Sequence, residues 1–261
     1  MSAPEPFVTI QVAPATDIGA LAAERLSLAV ARCPAAFLGM ATGSTPKVTG
    51  FWDELRQRVS RGQLDLSKAT FVNPDEWIGL GDPEHAEAYL SYLKKELAFE
   101  TNIRVPDGCA ADPVQAALDV EQAIVAGGGF EWMLMGMGIN GHIGFFEPAD
   151  SLPSQAFTPA IDRLNRERYA RDHFGTLDAV PTHATTIGLG TVMRAREICL
   201  CVVGEGKAGL LAQALQGPVT TALPASFVQL GRNVRVFLDP AAASRLDLAA
   251  LAARPGWAVK Q

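Results

Sequence analysis

Residues 36–46 read Ala36-Phe37-Leu38-Gly39-Met40-Ala41-Thr42-Gly43-Ser44-Thr45-Pro46, an apolar run of strand length that passes directly into a loop of small and hydroxyl-bearing residues. Beyond it Phe51, Leu55 and Val59 keep helical spacing. Pro46 stands near the first turn, where the missing N–H of proline costs nothing. The stretch therefore predicts strand, small-residue loop and helix. The same unit recurs along the chain, with apolar runs at residues 7–12, 69–72, 132–137, 198–203 and 234–238. Between them lie amphipathic stretches at residues 17–32, 84–96 and 113–125; in the first, Ile18, Leu21, Ala22, Leu26 and Val30 share one helical face. This alternation predicts an α/β protein with a mainly parallel sheet.

The remainder of the chain fits one domain spanning residues 1–261. No internal repeat, low-complexity tract or flexible linker divides it. Residues 151–180 turn polar and Arg-rich without a sheet pattern, which suits a surface flap or lid. The Ala-rich residues 241–253 predict a helix covering one face.

Composition narrows the function classes. The 22 Lys and Arg against 28 Asp and Glu give a net charge of -6, which argues against nucleic acid or an acidic membrane surface as the main partner. No apolar run is long enough to span a membrane, and residues 1–6 lack the features of a secretory leader, so the expectation is a soluble, cytoplasmic chain. Cys33, Cys109, Cys199 and Cys201 show no C-x-x-C spacing and read as reduced and structural. His85, His142, His173 and His183 offer no metal-ligand spacing. A P-loop, a dinucleotide fingerprint and the G-x-S-x-G of serine hydrolases are all missing.

Ligands of parallel α/β sheets bind beyond the strand carboxyl ends, so the residues following each strand carry the functional signal. Thr42, Gly43, Ser44 and Thr45 offer freed backbone N–H groups and hydroxyls that suit a phosphate, although the same residues also make an ordinary helix cap. Asp75 and Glu76 are adjacent carboxylates on extended backbone, so one faces a pocket while the other orients backbone or caps the next helix. Burial and the neighbouring charge would raise the pKa of the inward one, as suits a base that takes and returns a proton. The run Gly136-Met137-Gly138-Ile139-Asn140-Gly141-His142-Ile143-Gly144-Phe145-Phe146-Glu147-Pro148 presents a histidine and, five residues on, a carboxylate, on backbone that glycine allows close to a ligand. Arg171 and Lys207 are candidate cations for an anionic substrate.

Taken together, these segments resemble the glucosamine-6-phosphate deaminase (isomerase) family, related more distantly to the 6-phosphogluconolactonases. The resemblance runs from about Leu38 to Asp239 and rests on Ala41-Thr42-Gly43-Ser44-Thr45-Pro46, Phe71-Val72-Asn73-Pro74-Asp75-Glu76-Trp77-Ile78-Gly79-Leu80, Gly138 to Pro148 and Gly204-Glu205-Gly206-Lys207-Ala208. It implies a modified doubly wound, Rossmann-like α/β fold with helices on both faces, and no cofactor or metal. It also implies conversion of an aminosugar 6-phosphate to a ketose 6-phosphate plus ammonia by a monomer or homo-oligomer. By the same resemblance Thr42 to Thr45, Arg171 and Lys207 hold the phosphate. Asp75 moves the C2 proton to C1, and His142 opens the ring while Glu147 orients the imidazole.

Two residues depart from the pattern. Asn140 stands where many members have aspartate; an amide holds an imidazole but cannot raise its pKa as a carboxylate does, so ring opening should lean harder on Glu147. Phe146 replaces a common asparagine and bears on the lining of the sugar pocket. Allosteric hexameric relatives carry basic residues shortly after Glu-Pro, whereas residues 151–162 hold no Lys or Arg, so that control is not expected. Two other readings compete: a 6-phosphogluconolactonase, which needs no C2 base, and a non-catalytic sugar-phosphate sensor binding through Ser44, Arg171 and Lys207.

Overall fold

The computed structural model describes residues 5–80, 82 and 84–260, so the leader reading of residues 1–4 lies outside the described residues. Among the described residues ten strands form in chain order: β1 (Val8–Val12), β2 (Phe37–Met40), β3 (Thr70–Val72), β4 (Asp75–Trp77), β5 (Asn102–Arg104), β6 (Phe130–Gly136), β7 (Ala184–Thr186), β8 (Ile198–Val202), β9 (Val234–Leu238) and β10 (Trp257–Lys260). Eight of them make one sheet in the order β10-β1-β9-β8-β6-β2-β3-β5, while β4 and β7 pair separately. Every pair in the large sheet is parallel, and the β4–β7 pair is antiparallel.

The helices are α1 (Ala15–Arg32), α2 (Thr45–Val48), α3 (Phe51–Ser60), α4 (Tyr89–Leu97), α5 (Pro113–Ala126), α6 (Arg163–Tyr169), α7 (Leu189–Met193), α8 (Ala208–Gln216), α9 (Pro240–Ala243) and α10 (Leu248–Ala252). They cover both faces, as alternation along the central strands shows. Met133, Met135, Ile198, Leu200 and Val202 pack into one core with Ile124 of α5 and Leu211 of α8. Their neighbours Trp132, Leu134, Cys199 and Cys201 pack into the other, with Leu26 of α1 and Leu55 of α3. A strand buried on both faces reads as a continuous apolar run, which is why these strands are visible in the sequence. The chain winds outward from β2 through β3 to β5, then returns to β6 on the other side of β2. The order thus reverses between β2 and β6, and the loops after these strands diverge to open a crevice at their carboxyl ends.

Several expectations need correction. The helix expected over residues 84–96 begins only at Tyr89. The Ala-rich helix is broken into α9 and α10, because Asp239 and Asp247 each cap a separate helix by accepting from Ala242 N and Ala250 N. Residues 151–180 carry α6 followed by a π turn at Ala170–Phe174, and bridges Phe157–Thr186 and Ala160–His183 tie this segment to the β7 region. Cys33, Cys199 and Cys201 are reduced thiols, as expected. Among the described residues no helix is long and apolar enough to cross a membrane.

Candidate active site

The crevice between the β2 and β6 loops is lined by Thr42 to Thr45, Asp75, Gly138, His142, Gly144, Arg168, Tyr169 and Lys207. Three loops of the large sheet therefore meet there with β4 and α6. Buried Asn73 ties two of them together: its Nδ2 donates to Thr42 Oγ1 at 2.8 Å while its Oδ1 accepts from Asp75 N at 3.1 Å.

Asp75 lies opposite Thr186 in the β4–β7 pair and is 3% exposed. Its Oδ1 is buried without a hydrogen-bond partner. Burial pushes the carboxyl up to about 7, against the weaker pull of the Thr186 hydroxyl and the Phe145 amide. Thr186 also donates to Ile187 O at 3.1 Å, so it gives the carboxylate little support. Glu76 leaves the strand on the other side and accepts from Tyr89 N and Leu90 N at the start of α4. The two adjacent carboxylates thus divide into one facing the pocket and one holding a helix.

His142 closes the other side of the crevice. Its imidazole is partly buried and packs against Gly138, where only a residue without Cβ leaves room for the ring. Asn140 Oδ1 accepts from His142 N at 3.2 Å and faces His142 Nδ1 at 2.7 Å. An oxygen that already accepts from a backbone N–H is the acceptor for the ring as well. Nδ1 therefore carries the proton, which leaves Nε2 as a bare acceptor. Burial pushes the imidazole down to about 4, with the Asp162 charge opposing this and the charges of Lys207 and Arg168 adding to it, so the ring is neutral at physiological pH.

Glu147 stands behind this arrangement. Its Oε2 is 3.6 Å from His142 Nδ1 and accepts from Asn140 Nδ2 at 2.7 Å, so the amide rather than the carboxylate holds the ring directly. Burial pushes the Glu147 carboxyl up to about 7, helped by the charge of Asp162 and opposed by the Asn140 and Asn165 amides. Asp162 and Asn165 at the start of α6 carried no sequence signal beyond Asp162 standing where a helix cap could form.

Cations gather at the Thr42 to Thr45 loop. Ser44 precedes α2 but makes no side-chain capping bond, so the ordinary-cap reading fails. Its Oγ instead accepts from Arg168 Nη2 at 3.3 Å. Lys207 lines the same end of the crevice, its amine brought down to about 8 by burial and by the charge of Arg168. Arg171 does not join them: it is exposed and outside the lining, and Arg168 takes the place expected for it. The aromatic ring of Trp77 holds α6 in position, with Tyr169 at 5.0 Å, Phe174 at 5.5 Å and Phe145 at 5.0 Å between centroids. Phe146 is fully buried in the core against Phe157 and does not line the crevice.

The crevice thus combines an inward carboxyl, a neutral imidazole with one bare nitrogen, and a hydroxyl, guanidinium and ammonium group at one end. A model of the family described as glucosamine-6-phosphate isomerases/6-phosphogluconolactonase matches residues 11–237. A glucosamine-6-phosphate deaminase of Beutenbergia cavernae is 38% identical over 253 residues, covering 93% of this chain and 96% of that one. One from Arthrobacter sp. is 40% identical over 238 residues, covering 89% and 90%. Among solved structures, a monomeric glucosamine-6-phosphate deaminase superposes with a TM-score of 0.82 at 30% identity, covering 91% of this chain and 99% of that one. The 6-phosphogluconolactonase of Trypanosoma cruzi superposes at 0.71 with 16% identity, covering 95% and 100%, which shows a shared fold. The chain belongs to the family of glucosamine-6-phosphate isomerases and 6-phosphogluconolactonases.

Proposed function

We propose that this protein converts glucosamine 6-phosphate and water to fructose 6-phosphate and ammonia. The observation that carries the reading is Asp75, an inward, buried carboxyl whose pKa of about 7 suits a base that both takes and returns a proton. Ester hydrolysis of a lactone would have no use for it. The neutral His142 with its bare Nε2 and the cationic end of the crevice complete the set.

The phosphate, remote from the reacting carbons, binds Ser44, Arg168 and Lys207 and orients the sugar. His142 Nε2 takes the proton of the anomeric hydroxyl and passes it to the ring oxygen, which breaks the C1–O5 bond and frees the aldehyde. Asp75 then removes the C2 proton while the C2 ammonium passes a proton to the carbonyl oxygen, giving an enolamine; Asp75 returns its proton to C1, leaving a protonated imine at C2. Water adds to C2 and ammonia departs. The segment of residues 151–180 carries Arg168 and closes over the bound sugar as a lid, so a sugar phosphate should slow its proteolysis. The deciding experiment measures ammonia release from glucosamine 6-phosphate, with hydrolysis of 6-phosphogluconolactone in parallel. Ammonia formed by the wild-type protein and lost in Asp75→Asn is the expected result, and lactone hydrolysis without ammonia would overturn the reading.

A further inference from the structure

Asn140 is a neutral side chain with all four of its hydrogen-bonding positions occupied. Its Oδ1 takes the two donors of His142, while Nδ2 donates to Glu147 Oε2 at 2.7 Å and to Asp162 Oδ2 at 2.5 Å. Two acceptors on one side and two donors on the other allow a single amide orientation. Asn165 Nδ2 also lies 3.1 Å from His142 Nδ1, but its hydrogens are taken by Glu147 Oε1 at 2.9 Å and Asp162 Oδ2 at 3.1 Å. Asp162 and Glu147 thus each accept from both amides, and Asp162 is the one of the two that lies on the segment carrying α6. Its other oxygen, Oδ1, accepts from Asn165 N at 2.9 Å and caps α6, the helix that carries Arg168 toward Ser44.

We propose that Asp162 is a positioning residue that acts on His142 through the Asn140 amide, locking the imidazole as the Nδ1–H tautomer with Nε2 free to accept the substrate's proton. The assignment rests on the deaminase reading only for its kinetic consequence. Asp162 belongs to the same segment as the phosphate-end arginine, so docking of α6 completes the proton relay and the cationic end together. A site assembled in this way has its His142 set for ring opening only when the segment is in place.

The cap and the relay use different oxygens, which makes them separable. Asp162→Asn keeps an acceptor for Asn165 N, because asparagine caps helices as well as aspartate. It places an NH2 group against the Asn140 NH2 group, so the amide keeps Glu147 but loses the second of its two acceptors. Asp162→Ser also keeps a capping oxygen, on a shorter side chain that does not extend to Asn140. If Asp162 serves only as a cap, both variants behave as wild type. The positioning role predicts a kcat lower by about tenfold or more with KM within about threefold, the scale of a misplaced proton-transfer group. It also predicts that ring 15N shifts of His142 move from the pure Nδ1–H form toward a tautomer mixture. A second variant tests the connection directly. Asn140→Asp alone crowds a third carboxylate against Glu147 and Asp162, whereas Asn140→Asp combined with Asp162→Asn exchanges the two groups and restores a donor–acceptor pair. The double variant should recover about tenfold of the kcat lost in Asp162→Asn. An unchanged tautomer in Asp162→Asn, or a double variant no better than Asp162→Asn, overturns the proposal. If the wild-type protein releases no ammonia from glucosamine 6-phosphate, the functional reading falls while the 15N measurement still decides the role of Asp162.

Discussion

The His142 imidazole lies against the backbone of Gly138 so closely that a Cβ at residue 138 would stand 2.1 Å from Cε1. That distance is far inside van der Waals contact, so Gly138→Ala must push the ring away from Asn140 and out of its place in the crevice. Displacing a reactive group by an ångström costs about 100-fold in rate. Gly138→Ala should therefore lose about that factor in kcat while its thermal midpoint stays near wild type, because the ring has the open crevice to move into. Kinetics and a melting curve on the same sample check both halves, and a variant with wild-type kcat would show that the ring contact is not needed.

Asp75→Asn separates catalysis from stability. Loss of the base should lower kcat by about 10²–10⁴-fold. The folded-state pKa of about 7 lies above the ordinary carboxyl value, so the folded state binds the extra proton. The contribution of Asp75 to stability is thus fully present below about pH 4 and lost as pH rises through about 7. Replacing the carboxyl by an amide removes that loss. The variant should melt above wild type at pH 8, with the difference shrinking toward pH 4, as thermal unfolding at the two pH values will show.

The expected pH profile follows from two groups of opposite sense. Asp75 must be ionised to act, so kcat/KM rises through about 7; Lys207 must be charged to hold the phosphate, so kcat/KM falls as pH passes about 8. Burial also pushes Glu76 and Glu147 up to about 7, with the Asp75 charge adding to the shift of Glu76, so the ascending limb is composite rather than the titration of one residue. Lys207→Ala should raise KM and abolish the descending limb of kcat/KM. A descending limb that survives in this variant would assign it elsewhere.

Arg168 and Arg171 make a sharper pair. Arg168→Ala should weaken binding of a sugar phosphate by about tenfold or more, the scale of a lost charge-assisted contact, whereas Arg171→Ala should change it by less than about twofold. Isothermal titration with a non-reactive sugar phosphate decides between them, and a larger loss in Arg171→Ala would reverse the assignment.

This pair also shows where sequence patterning stops. Residues three apart share a face of an α-helix, so nothing in the spacing separates Arg168 from Arg171. The helix gives way to a π turn, closed by Gly175 N to Ala170 O at 2.7 Å, and the wider turn carries Arg171 outward. The central strands were legible because burial on both faces leaves an unbroken apolar run. β4, β5 and β7 are as short as β3 but read Asp75-Glu76-Trp77, Asn102-Ile103-Arg104 and Ala184-Thr185-Thr186, so unlike β3 they show neither an apolar run nor a period. Gly138 and His142 could be read from one loop. The partnership of Asn140 with Asp162 spans 22 residues and depends on where α6 docks, which no local pattern encodes.

Away from the crevice, Arg25 and Glu197 test what holds the scaffold. Glu197 is fully buried and its two oxygens accept from Arg25 Nε and Nη2 at 2.6 Å each, with Asn233 Nδ2 adding a third donor at 3.1 Å. Arg25→Ala leaves the carboxylate buried with only the Asn233 amide and the weak Cys199 thiol donor at 3.8 Å. Breaking a buried pair from one side costs about 3–5 kcal/mol, whereas losing an exposed pair such as Lys94 with Glu84 costs less than about 1 kcal/mol. In a chain of this size the first corresponds to a fall in Tm on the order of 10 °C. Lys94→Ala should melt close to wild type. Equal melting of the two variants would mean that water reaches Glu197 once the guanidinium is gone, and that the pair contributes no more than a surface contact.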